Sequence, residues 1–203
     1  MARDDLAPTA LGFFPHSGWA GVVCLGGAVS SPVVVERRRI LLTSGPLPCE
    51  PYHLAKRREG AEAREIVAAA AAEARRLSAE AIEDLASSAA VRGHEIVAAG
   101  VITGRGRPDF TFQQALSTHA AMHNAEGWLF REALLRAGQE LGLSMTAAPP
   151  DAVYAENATA AGIAAPEIEE RIRELGGNLG PPWGKDEKLS TAAAWLALAR
   201  ARR

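Results

Sequence analysis

Three side chains that serve in metal sites and in acid–base catalysis recur at helical spacing in one segment of the sequence. His119, His123 and Glu126 stand at positions i, i+4 and i+7 of the segment HAAMHNAEGWLFREAL. At about 100° per residue, this spacing places them within roughly 60° of one helix face, so their side chains can converge. Imidazole and carboxylate groups are ligands for divalent metals such as zinc, manganese or magnesium. The pattern therefore predicts His119, His123 and Glu126 as metal ligands.

Apolar residues share that helix face, so we expect the three polar side chains to point inward. Buried carboxylate and imidazole groups are costly unless they are paired, hydrogen-bonded or bound to a metal. Two alternatives to a metal site stay open at this point. Glu126 and a histidine could act as acid and base without a metal. Alternatively, the histidines could donate to buried carbonyl groups while Glu126 pairs with one of the cations at 37–39, which would be a purely structural arrangement.

A second group of candidates lies near the C-terminus, in the segment PPWGKDEK. Asp186 stands at the start of the last predicted helix, where a carboxylate caps the helix and favours its dipole. Asp186 and Lys188 could instead form a functional pair at the edge of the sheet. We therefore take Glu126, Asp186 and Lys188 as the candidate catalytic residues, and His16 and His53 as residues that could line the same cleft.

Phosphate-binding and dinucleotide-binding motifs are not found in the sequence. The segment GRGRP at 104–108 follows a predicted strand, but it lacks the third glycine of the dinucleotide fingerprint and ends in proline. We therefore expect neither NAD nor ATP as a cofactor, and a divalent metal remains the candidate.

Composition limits the class of protein. The chain has 203 residues, 48% of them hydrophobic and 23% charged, with a formal net charge of -2. These values are typical of a globular domain, and they give no overall attraction to a phosphate backbone. The apolar run at 19–29 contains glycines and is too short to cross a bilayer. Two cysteines without metal-ligand spacing are expected to stay reduced. We therefore expect a cytoplasmic protein that does not enter a membrane, with a flexible N-terminus at 1–14 and a single α/β domain at 15–203.

Alternating strand and helix signals position the candidate residues. Short runs rich in β-branched and aliphatic residues predict strands at 19–25, 32–43, 95–103 and 143–148. Alanine-rich and amphipathic segments predict helices at 61–91, 111–141, 166–175 and 186–201, with loops at 46–51 and 176–184. This order predicts a mixed sheet that begins with an antiparallel meander and has helices on its faces.

The same order of elements resembles the ribonuclease-H-like fold, including its Holliday-junction-resolvase branch. Five segments are also similar to an uncharacterised bacterial protein family: GWAGVVCL, PVVVERRRILL, PYHLA, HAAMHNAEGWLFREAL and GPPWGKDEKLSTAAAWLAL. The resemblance implies an α/β fold with a mixed sheet, an N-terminal antiparallel meander and helices on both faces. It also implies a cluster of carboxylates that holds two divalent metals for phosphodiester cleavage, with one acid in the first strand.

The sequence departs from that pattern because the predicted first strand carries no acid, which leaves Glu95, Glu126 and Asp186 as a partial set. Two functions are therefore considered. The first is a metal-dependent hydrolase or nuclease-like enzyme that uses the His/His/Glu cluster on nucleic acid or on a small phosphorylated substrate. The second is a non-catalytic binding or assembly domain, such as a homo-oligomer that uses an exposed Trp128 as an anchor. A small-molecule pocket beside Trp183 is a third option.

Overall fold

The structure, a computed structural model, describes residues 6–104 and 109–202. Five strands and seven helices follow one another along these parts of the chain. The strands are β1 Ala7–His16, β2 Trp19–Ala28, β3 Ser31–Leu41, β4 His94–Ile102 and β5 Ser144–Ala148. The helices are α1 Pro51–Ala55, α2 Gly60–Val91, α3 Phe112–Ala115, α4 His119–Glu140, α5 Val153–Ala161, α6 Ala165–Leu179 and α7 Lys185–Ala201.

The strands form one mixed sheet in the order β3-β2-β1-β4-β5. Strands β1, β2 and β3 pair antiparallel, whereas β4 is parallel to both β1 and β5. Gly18, with a φ of +80°, makes the tight turn between β1 and β2, where residues with side chains rarely fit. The predicted mixed sheet with an N-terminal meander is confirmed.

The expected flexible N-terminus at 1–14 is wrong from Ala7 onward, because Ala7–His16 form the central strand β1. Two prolines and a glycine make this segment a poor strand by composition. The prolines, Pro8 and Pro15, lie close to the two ends of β1, and pairing with β2 on one side and β4 on the other holds the strand in place. Residues 1–5 of that predicted segment, and 105–108 of GRGRP, lie outside the described residues.

Helix α7 packs directly onto one face of the sheet. A methyl group at Gly12 of β1 would lie 1.8 Å from the carbonyl oxygen of Ser190, and one at Gly100 of β4 would lie 2.2 Å from that of Ala193. Such distances are far below van der Waals contact, so only glycine permits this approach. Residues 189–199 of α7 are all buried. The α7 face of the sheet is therefore closed by backbone-to-backbone packing.

Helices α2 and α4 cover the opposite face. Leu11 and Phe13 alternate along β1 with Gly12, so their side chains point away from α7 and pack with Leu85 of α2 and Phe130 of α4 in one apolar cluster. The sheet thus has helices on both faces, as predicted.

Several helix boundaries differ from the prediction. The helical region expected at 111–141 is divided into α3 and α4, each with its own threonine cap at Thr111 or Thr118. Helix α5, which was not predicted, is held by Asn157, whose buried amide donates to the carbonyl of Ala192 on α7. The loop expected from 176 is helical as far as Leu179, at the end of α6. In these places tertiary contacts override weak local propensity.

Cys24 is buried and Cys49 is exposed, and both are free thiols. Across the parts of the chain that the structure describes, every helix is too short or too polar to serve as a transmembrane span.

Candidate metal centre

The candidate centre forms where the short helix α1 meets the start of α4. Pro51 occupies the first turn of α1, where a missing N–H costs nothing, and the helix carries Tyr52 and His53. Thr118 begins α4 by accepting a hydrogen bond from the amide of Ala121, and His119 is the first helical residue. The first turn of α1 rests on the buried carboxylate of Glu126 in α4.

Glu126 of α4 is fully buried and receives three hydrogen bonds through one oxygen. Its Oε1 accepts from the backbone amides of Tyr52 at 3.1 Å and His53 at 3.2 Å, and from His53 Nδ1 at 2.8 Å. The two amides belong to the first turn of α1, whose N–H groups have no partner inside the helix. Burial, together with the negative charge of Glu126, raises the pKa of Tyr52. Glu126 therefore fixes α1 and His53 at the same time.

Three imidazoles converge in front of this carboxylate. His53 Nε2 lies 3.0 Å from His119 Nδ1, and His123 Nε2 lies 3.0 Å from His119 Nε2. One ring nitrogen from each of His53, His119 and His123 can be chosen so that all three lie within 4.8 Å of one another. Tetrahedral ligands at zinc–nitrogen distances of about 2.0–2.1 Å are about 3.3 Å apart. The imidazole rings must therefore turn to bring one nitrogen of each histidine to the separations that a single metal ion requires.

The carboxylate of Glu126 sets which nitrogen His53 presents to the cluster. A carboxylate oxygen can only accept, so His53 must donate from Nδ1, which leaves the lone pair of its Nε2 directed toward His119. His123 Nδ1 lies 3.6 Å from the other oxygen of Glu126, and its Nε2 also faces His119. Metal-binding histidines commonly have such a carboxylate behind the ring, which orients the ring and raises its basicity. The donor set thus fits a divalent ion.

The centre is closed on one side and open on the other. Glu126 is completely buried, the side chain of His53 is 20% exposed and that of His123 is 47% exposed. Oε2 of Glu126 is buried without a hydrogen-bond partner among the described residues. His119 and His123 therefore stand at the surface, and the expectation that all three members of the predicted trio point inward holds only for Glu126.

The structure places Glu126 behind two of the rings and brings a third imidazole to the cluster. Oε1 of Glu126 accepts hydrogen bonds from two amides of α1 and from His53, and its Oε2 faces His123. The third imidazole in the cluster is His53, which the sequence suggested only as a residue that could line the cleft. The short helix that carries His53 has no sequence periodicity that could link this residue to His119.

An ion pair between Glu126 and an arginine of β3, the example given for a structural role, is not found among the described residues, because the three arginines of β3 have other partners or lie elsewhere. Arg37 donates to backbone carbonyls between Leu179 and Pro182, Arg38 pairs with Asp84, and Arg39 stacks on Trp19 with its Cζ 3.6 Å from the ring centre.

Asp186 and Lys188 are not brought to the histidine cluster. Asp186 lies near the start of α7, which covers the other face of the sheet, and its Oδ2 is 3.0 Å from His16 Nε2. It lines a cavity of about 390 Å³ with Trp19 and Arg39. Lys188 lines a different depression, beside Tyr154 on the far side of α7. The two residues therefore do not form the pair that the sequence suggested.

A two-metal carboxylate site does not fit the residues that the structure describes. Strand β1, now defined as Ala7–His16, carries no acid. On the α7 face, Gly12 leaves no room even for a methyl group, and on the other face Leu11 and Phe13 are in the apolar core. Glu95 is the second residue of β4, and Asp186 is paired with His16. The predicted partial set of Glu95, Glu126 and Asp186 is thus dispersed.

Trp128 and Trp183 also differ from expectation. Trp128, expected to be exposed, is half-buried in a groove between α2 and α4, and its Nε1 donates to Glu132 at 3.0 Å. Trp183 packs on Gly176 and donates to the carbonyl of Ile172. Both rings therefore serve contacts within the chain.

Comparison with known proteins identifies the fold. Two solved structures of RuvC from Thermus thermophilus are similar to the chain over nearly their whole length. One, RuvC in complex with Holliday junction substrate, has a TM-score of 0.52 and 18% identity, and covers 96% of this chain and 94% of that one. The other, a structure of Thermus thermophilus RuvC, has a TM-score of 0.53 and 19% identity, and the match covers 96% of this chain and 95% of that one. No protein-family model and no curated protein sequence matches the chain. The predicted ribonuclease-H-like fold is thereby confirmed, while the site must be judged from its own residues.

Proposed function

We propose that this protein is a metal-dependent hydrolase of nuclease-like type whose single divalent ion is held by His53, His119 and His123. The observation that carries the proposal is the convergence of three imidazoles at the surface in front of one buried carboxylate. Three protein ligands with an open fourth position are typical of catalytic zinc sites, whereas structural sites are closed by four.

The ligand atoms favour zinc among the three candidate ions. Imidazole nitrogens suit zinc and its neighbours in the transition series, whereas magnesium and manganese prefer carboxylate, carbonyl and water oxygens. The carboxylate at this centre, Glu126, has one oxygen occupied by α1 and lies behind the rings. We therefore expect zinc to bind more tightly than manganese, and magnesium to bind very weakly.

The residues of the chain would prepare the site rather than perform proton transfers themselves. A zinc ion held by His53, His119 and His123 would supply Lewis-acid chemistry and would lower the pKa of water at the site. Glu126 holds His53 in the tautomer that presents Nε2, and the exposed edges of His119 and His123 leave a side open to substrate. Water and substrate can thus reach the centre without a movement of the fold.

Phosphorylated molecules are the substrate class that we propose. Lys56 and Arg57 are exposed and follow His53 within four residues, whereas Arg58 is paired with Glu62, so two cations near the centre are available to a phosphate group. The fold is similar to that of RuvC, which was solved in complex with a Holliday junction substrate. Nucleic acid and small phosphate esters are therefore the substrates to assay first.

A non-catalytic binding or assembly domain is the second candidate. It is favoured by the acid-free strand β1, which α7 seals with its backbone at Gly12. In this case the histidine cluster could still bind a metal, but no phosphodiester would be hydrolysed, so activity separates the two candidates.

Equilibrium dialysis against zinc, manganese and magnesium tests the proposal. We expect one zinc per chain in the wild type, and loss of that zinc in His53→Ala and in the His119→Ala/His123→Ala double variant. His94→Ala is the matched control, since His94 contacts Thr9 at 3.1 Å and is not part of the cluster. A chromogenic phosphodiester should be hydrolysed only by protein that retains zinc. A wild type without zinc, or zinc binding that survives both cluster variants, would rule out the proposed centre.

A further inference from the structure

Arg131 of α4 occupies a slot between its own helix and the end of β4. A methyl group placed on Gly127 would lie 3.1 Å from Arg131 Nη1, and one on Gly104 would lie 3.4 Å from the same atom. The guanidinium therefore folds back along α4 and rests against two glycines, Gly127 in α4 and Gly104 just after β4. Side chains larger than hydrogen at either position would crowd it.

This cation has no anionic partner within residues 6–104 and 109–202. No carboxylate lies within ion-pair distance of Arg131, and its Nε is buried without a hydrogen bond. Burial also lowers the pKa of Arg131. Arg136, farther along the same helix, is by contrast paired with Glu132 at 2.9 Å. A partly buried guanidinium without an anionic partner is a strong binding site for an anion, to which it can donate hydrogen bonds.

The slot is adjacent to the histidine centre. Gly127 follows His123 by four residues, so these two positions are about one helical turn, roughly 6 Å, apart on α4, and the Arg131 guanidinium lies beside Gly127. A group that contacts the exposed edge of the cluster with one oxygen can therefore reach Arg131 with another.

We propose that Arg131 binds a phosphoryl oxygen of the substrate held at the three-histidine centre and so selects phosphate esters. This inference rests on the proposed function and names its specificity-determining residue. A guanidinium matches two phosphoryl oxygens with parallel hydrogen bonds, and a fixed cation beside the reacting group stabilises charge on those oxygens during hydrolysis.

Orthophosphate binding to the zinc-loaded protein, measured by calorimetry, tests the role of Arg131 apart from catalysis. We expect Arg131→Met to keep one zinc per chain but to bind orthophosphate at least about tenfold more weakly, because one charge-assisted interaction is removed. The KM for a chromogenic phosphodiester should rise by a similar factor. Arg131→Lys should retain part of the phosphate affinity, because the lysine ammonium keeps the positive charge. Arg136→Met, which removes an exposed cation from the same helix, should leave phosphate affinity unchanged.

The outcomes separate this inference from the function on which it rests. Normal zinc content with equal phosphate affinity in the wild type and Arg131→Met would overturn the role of Arg131 alone. A wild type that binds no zinc would overturn the proposed function. In that case, equal phosphate affinity of the metal-free wild type and metal-free Arg131→Met would overturn the role of Arg131 as well, whereas a loss in the variant would support it.

Discussion

The two faces of the sheet are built for different tasks. On the α7 face, the helix backbone contacts the strands at Gly12 and Gly100, and the polar atoms of Ser190 and Trp195 are satisfied by backbone carbonyls. On the other face, the α2–α4 layer ends in a fully buried carboxylate, Glu126, whose Oε2 has no hydrogen-bond partner among the described residues. The difference teaches that the sheet has no free space where α7 crosses Gly12 and Gly100, whereas the edge of the other face retains polar groups that need a partner.

Substitution at Gly12 should have the largest effect. A methyl group there would overlap the Ser190 carbonyl oxygen, so α7 must move away from the sheet. We expect Gly12→Ala to lower the free energy of unfolding by about 3 kcal/mol or more. Urea denaturation measures this. Gly21→Ala is the control, because its nearest neighbour, the Cβ of Asp186, would lie at an ordinary 3.5 Å. Equal stability of the two variants would contradict the sealed α7 face.

Glu126→Gln should have the next largest effect, on metal affinity. The amide keeps the shape of the carboxylate but removes its charge, so His53 and His123 lose the group that orients them. We expect zinc affinity to fall by about 10- to 100-fold, the range found for such supporting groups. Competition with a fluorescent zinc chelator measures this fall. Unchanged affinity would remove Glu126 from the centre.

Asp186→Asn tests whether the cavity beside α7 belongs to the same centre. The His16 and Asp186 side chains are 33% and 29% exposed, so the loss of their ion pair should cost less than about 1 kcal/mol. Zinc affinity should not change. Thermal unfolding and zinc titration of the same sample measure both quantities, and a loss of zinc in this variant would show that the two faces share one site.

The smallest effect should be the loss of stability in acid at the contact between Glu36 of β3 and Ser88 of α2. Partial burial alone would raise the pKa of Glu36, but hydrogen bonds from Ser88 and Arg92 and the charge of Arg38 outweigh it and hold the pKa below its ordinary value of 4.5. The resulting stabilisation is present above the ordinary pKa and is lost as the pH falls through the lowered folded-state pKa.

Glu36→Gln should accordingly lower stability by up to about 1 kcal/mol at neutral pH and by less in acid. Thermal melting of both proteins between pH 7 and about pH 3 measures the difference. A difference that grows in acid would show that the carboxylate does not stabilise this contact.

Much of the fold could be predicted from the sequence because the strong local patterns agree with the tertiary structure. The alanine-rich helix α2 and the apolar strand β4 carry such patterns. Strand β1 could not be recognised, because its prolines and Gly12 are acceptable only in the context of β2, β4 and α7. Helix α5 depends likewise on its contact with α7 through Asn157.

The site was predictable only within one helix. The spacing of His119, His123 and Glu126 brought these residues together, but His53 joins them across 66 residues through the packing of α1 on α4. The role of Glu126 also depends on α1, whose free amides occupy the oxygen that a metal would otherwise use. Periodicity cannot show such contacts between elements.

Zinc content of the purified protein, measured by mass spectrometry after dialysis against zinc, tests the central claim most directly when the wild type is compared with His53→Ala. We expect one zinc per chain in the wild type and none in the variant, with unchanged circular dichroism. Equal zinc content in both proteins, or none in the wild type, would contradict a metal centre built from His53, His119 and His123.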